Sequence, residues 1–161
     1  MGSFHGWADP TGDAPDSGCY PFVFDAPDYR LYDELSLPAH KQVQIAAFAH
    51  NIAAFETVAA YEESQARAAS RSFIPSGLFT PVGEAINPPQ ARAILAGHVL
   101  AADEKINALT GRAFYWALVE TYGGAYDVVI DSELLTGVPA VGGVISGSFW
   151  LSGRIIAGDQ K

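Results

Sequence analysis

Three carboxylates stand close to one turn: Glu120, Asp127 and Asp131 flank the pair Gly123-Gly124. The stretches Ala113 to Tyr122 and Ala125 to Asp131 read as two strands of a hairpin about that turn. With the two glycines at the turn centre, Tyr122 pairs with Ala125, Glu120 faces Asp127 and Trp116 faces Asp131. All three acids then share one sheet face. Like charges directly opposite each other repel, so this arrangement asks for a cation, a shared proton or a different register. The chemistry would be a carboxylate metal site or a paired general acid and base beside Trp116. The plain alternative is a solvated sheet face, which is where most charged side chains lie.

Other reactive residues are scattered. His5, His40, His50 and His98 lack the i, i+4 spacing that places two imidazoles on one helix face, so no metal site is expected. The lone Cys19 can form neither an intrachain disulfide nor a cysteine-based zinc site. Ser76, in IPSGLF, lacks the glycines of a nucleophile elbow. YGG, VGG and SGS are not followed by the residues of a phosphate-binding loop, and no cofactor is expected.

A different feature stands in VISGSFWLSGRII, Val144 to Ile156. Alternation along a strand gives one face Ile145, Gly147, Phe149, Leu151, Gly153 and Ile155, an apolar and close-packing set. The other face carries Ser146, Ser148, Trp150, Ser152 and Arg154. Stacking area, hydroxyls and a guanidinium fork suit a partner surface, or a face covered by the chain's own aromatic arm. That arm is residues 1–35, rich in Gly, Pro and Asp yet bearing Phe4, Trp7, Tyr20, Phe22, Phe24, Tyr29 and Tyr32. Phe4 and Trp7 join the candidate partner-binding residues, since a linker needs no such aromatic area.

The elements expected to position these residues form an α+β fold. Ile45, Phe48, Ile52, Phe55 and Ala59 recur at spacings of three and four, predicting a long alanine-rich helix from Pro38 to about Ser70. Asn87-Pro88 reads as a cap and first turn of a second helical region running to about Leu109. These helices would pack on a C-terminal three-stranded antiparallel meander, giving a single domain over 36–161 behind the N-terminal arm.

Composition sets the outer bounds. The 161 residues are 49% hydrophobic and 17% charged, which suits one folded domain and not a disordered chain. The net charge of −9 repels phosphate backbones, so nucleic acid is not an expected partner. No apolar stretch reaches the length of a membrane span and no signal peptide is evident, so a cytoplasmic protein without membrane insertion is expected. Together these features predict a non-catalytic protein-protein interaction protein, a structural component or complex subunit with a protein partner or a second copy of itself. The alternatives are a small carboxylate- or metal-dependent hydrolase using Glu120, Asp127 and Asp131, and an acidic inhibitor or immunity-type protein.

Overall fold

The computed structural model describes residues 2–64, 68–81 and 83–156. Among the described residues eight strands form one sheet: β1 (Gly2–Trp7), β2 (Pro21–Ala26), β3 (Val43–Phe55), β4 (Ser72–Ile74), β5 (Arg92–Ile106), β6 (Ala113–Thr121), β7 (Gly124–Asp131) and β8 (Val144–Ile155). A short helix, α1 (Val58–Ser64), follows β3. Five strands close on themselves in the order β8-β3-β7-β6-β5 and back to β8, making a barrel. Every pairing in it is antiparallel except β3 with β7. The fold is therefore not α+β. Among the described residues, no helix is long and apolar enough to cross a membrane.

The expected long helix is β3 plus α1. Residues 65–67 of the expected span lie outside the described residues, and 68–70 are irregular. The three-and-four spacing comes from a β-bulge where the pairing with β8 shifts between Ala49 and Asn51. A bulge inserts one residue and reverses the side-chain parity beyond it. Ile45 and Ala47 thus face inward before it and Ile52 after it, while Phe48 faces outward. The second helical region is β5, which carries a similar shift between Val99 and Ala101. Asn87-Pro88 lies in the irregular chain before it.

The hairpin of β6 and β7 is as expected in kind, but its two loop residues are Tyr122 and Gly123, with Thr121 opposite Gly124. Gly123 has φ +81°, a conformation that glycine adopts without strain. The three-stranded meander does not form. β8 pairs with β3 and β5 and touches β2 at Asp25 and Ser152, but never lies beside β7.

Alanine content reflects the barrel's width. On β8, Phe149 stands between Ala49 of β3 and Ala93 of β5, and Ile145 stands between Ala54 and Gly97. Gly147 stands between Ile52 and Leu95. Large and small residues alternate across the three strands, as a narrow barrel filled by its own side chains requires. A Cβ on Gly147 would collide with the Asn51 carbonyl oxygen, so the bulge and this glycine fit one another.

The aromatic arm closes one end of this barrel. The β1–β2 hairpin sits where β5 leaves β8, with Phe4 opposite Phe24 and Gly6 opposite Phe22. Phe4, Tyr20, Phe22 and Phe24 are buried in the same apolar cluster as Ile45, Phe149 and Leu151.

Candidate functional site

A pocket of about 730 Å³ opens beside the arm. The Ala8 amide donates to the Tyr20 carbonyl at 3.0 Å and the Cys19 amide to the Ala8 carbonyl at 2.8 Å. These bonds prolong the β1–β2 hairpin and project residues 9–18 as a loop. Ser17 Oγ lies 2.8 Å from the carbonyl oxygens of both Gly12 and Ala14, which gathers that loop. Opposite it runs the segment from Leu35 to Lys41. That segment follows a 3₁₀ turn over Tyr29–Tyr32. Tyr32 fixes the turn to the barrel: its hydroxyl donates to Asp28 Oδ2 at 2.7 Å and accepts from the Ile155 amide at 3.1 Å.

Buried Phe4, Phe22 and Phe24 line the pocket, and Trp7, Leu37, Val43 and Ile155 add further apolar area. The ionisable lining residues, His5, Asp13, His40 and Lys41, are all exposed. His40 Nε2 lies 3.6 Å from Asp13 Oδ1, so the loop and the facing segment meet at the rim. An apolar interior with a few polar groups at the opening is the common form of a small-molecule site, and the volume falls within the usual range for one.

The carboxylates singled out from sequence lie on the barrel's outer face and do not converge. Glu120 forms an ion pair with Arg71. Asp127 accepts from Trp116 Nε1 at 2.9 Å and from Gln44 Nε2 at 2.8 Å. Asp131 accepts from the Glu133 amide at 3.0 Å. The true register places Leu118, not Glu120, opposite Asp127, and Phe114, not Trp116, opposite Asp131. Among the described residues no group of three or more His, Cys, Asp and Glu is placed to hold a metal.

The serine-tryptophan face of β8 also lies outside the barrel. Trp150 Nε1 donates to Asp25 Oδ2 at 2.7 Å, and Ser3 donates to the other oxygen of that carboxylate at 2.6 Å. Ser152, opposite Asp25, is buried. The arm thus covers that end of the face, while Trp150 packs against half-exposed Phe48 at 5.2 Å between ring centres. Arg154 donates to Gln44 Oε1 at 2.8 and 3.1 Å, joining Asp127 through that amide. Ser146 and Ser148 line a shallow depression with Asn51 and Ile94. Phe4 and Trp7 are the partner-binding candidates that meet at the large pocket. Sequence reading missed Asp13, Leu37, His40 and Lys41. Their one signal was proximity in sequence to an aromatic-rich arm that had to cover something.

Two further polar pairs are present. Ser70 Oγ lies 2.9 Å from His98 Nε2 on the outer surface. Under the arm, the hydroxyls of Tyr20 and Tyr126 are 2.8 Å apart, with Tyr20 stacked on Phe73 at 4.2 Å. Burial pushes the Tyr20 phenol up to about 12 and raises Tyr126 as well. An unfolded tyrosine ionises near pH ~10. Above that pH the unfolded chain releases protons that the folded chain retains, so the stability present below pH ~10 falls as pH rises, until Tyr20 itself ionises. The expected slope is roughly 1.4 kcal/mol per pH unit for each of the two phenols. Tyr126→Phe should roughly halve this slope, while lowering stability at neutral pH by about 1 kcal/mol through loss of the hydrogen bond. Urea denaturation at a series of pH values from neutral into the alkaline range measures both; an unchanged slope in the variant would place the linkage elsewhere.

No family model, curated protein or solved structure matches this chain.

Proposed function

We propose that the protein is a non-catalytic binding protein whose ligand is a small, largely apolar molecule held between the arm and the barrel. The observation that carries this reading is the pocket of about 730 Å³, lined by Phe4, Trp7, Phe22, Phe24 and Leu37. Its ionisable groups stand at the exposed rim, and Ser17 is engaged with two carbonyls of its own loop, so among the described residues the apolar lining carries no buried reactive side chain. Binding without chemistry is what such a lining supports. Each of Glu120, Asp127 and Asp131 has its own hydrogen-bond or ion-pair partner, which favours this reading over a carboxylate hydrolase. A cytoplasmic setting suits the free thiol of Cys19.

A neutral fluorescent probe such as N-phenyl-1-naphthylamine should bind saturably. Ala39 is exposed and lines the pocket, so Ala39→Trp should fill the space without touching the core. The variant is expected to weaken the probe by about tenfold or more while leaving the melting temperature unchanged. Absence of saturable binding to the unmodified protein, or equal binding to the variant, would rule out this pocket as the site.

A further inference from the structure

We infer that the ligand carries an anionic head, a carboxylate or its equivalent, on an alkyl or aryl body, and that Lys41 receives that head. This deepens the reading of the pocket as a small-molecule site and rests on it. The chain holds 18 acidic residues against 9 lysines and arginines, so a cation at the mouth of its large apolar pocket runs against the overall charge. Among the described residues, the ion pairs involve His40 with Asp13, Arg71 with Glu120, Lys105 with Asp103 and Arg112 with Glu133. Lys41 is in none of them. The lining's single carboxylate, Asp13, lies against His40. The remaining polar lining therefore offers nitrogen groups at the rim, those of His5, His40 and Lys41; His40 already faces Asp13, and Lys41 presents an ammonium with three donors and no acceptor. An apolar body fits against Phe4, Phe22 and Phe24, and its charged end stays at the rim, where it can accept a charge-assisted hydrogen bond from the ammonium.

Three probes with the same chain separate the possibilities: decanoate, decanol and decyltrimethylammonium, titrated by calorimetry with fluorescence of the lining Trp7 as a second readout. Decanoate is expected to bind the unmodified protein about tenfold more tightly than decanol. Lys41→Ala should abolish that preference and leave decanol unchanged, and Lys41→Arg should restore it. Because Lys41 is exposed, neither variant should alter folding. Equal binding of decanoate and decanol, tightest binding of the cation, or a preference that survives Lys41→Ala would overturn the assignment while leaving an apolar site intact. Failure of all three probes to bind would instead remove the pocket reading itself, and the head-group assignment with it.

Discussion

Phe149→Ala is expected to lower the free energy of unfolding by about 3–5 kcal/mol, measured by urea denaturation with an unchanged dependence on denaturant. Phe149 is fully buried, and its neighbours on both sides are already small, Ala49 on β3 and Ala93 on β5. Those neighbours cannot move in to fill the space, because backbone ladders hold both strands to β8 along their length. The cost of such a truncation grows with the cavity that remains, so this site should fall toward the upper end of the range. Phe149→Leu, which keeps most of the volume, should cost less than half as much. A loss below about 1 kcal/mol for the alanine variant would mean that the barrel collapses around the gap, against the close packing described here.

Removal of residues 1–26 is expected to prevent stable folding of what remains. The deletion strips Phe4, Tyr20, Val23, Phe22 and Phe24 from the main apolar cluster, each within a tenth of full burial. At roughly 2 kcal/mol for each of these five side chains, the loss of about 10 kcal/mol is as large as the whole stability of a typical domain, about 5–15 kcal/mol. It also uncovers the tyrosine pair and takes Asp25 from Trp150. Circular dichroism and the sharpness of one-dimensional NMR signals would report the result. A truncated chain that melts cooperatively within a few degrees of the full-length protein would show that the arm is dispensable packing.

What the sequence disclosed follows from how local each pattern is. The alternation in β8 was legible, because Ile145, Phe149 and Leu151 keep a strict period of two along an unbroken strand and all are fully buried. The β6–β7 hairpin was legible from its glycines, although the loop is displaced by one residue, which shifts each cross-strand partner by two. β3 was not legible as a strand. Its bulge turns a period of two into spacings of three and four, and its alanines answer to large residues on β8 instead of to helix propensity. Nothing local to Val43–Phe55 records that Phe149 and Leu151 will lie opposite, about a hundred residues later. The pocket was hidden for the same reason. Trp7, Leu37 and Ile155 belong to one surface only after the arm has docked.

The place of β8 in the sheet has a consequence for how the chain is made. This strand is synthesised after every other strand of the barrel, yet it pairs with β2, β3 and β5. Until it emerges from the ribosome, β3 and β5 each present an unpaired edge, and the small residues that flank Phe149 line an open trough. The barrel can therefore close only after translation of β8, which joins early and late segments. Pairings so distant in sequence form slowly, and exposed edges invite association with other chains in the interval. Pairing of β8 removes both edges at once, so the protection of β3 and β5 against such association is carried by the last strand made.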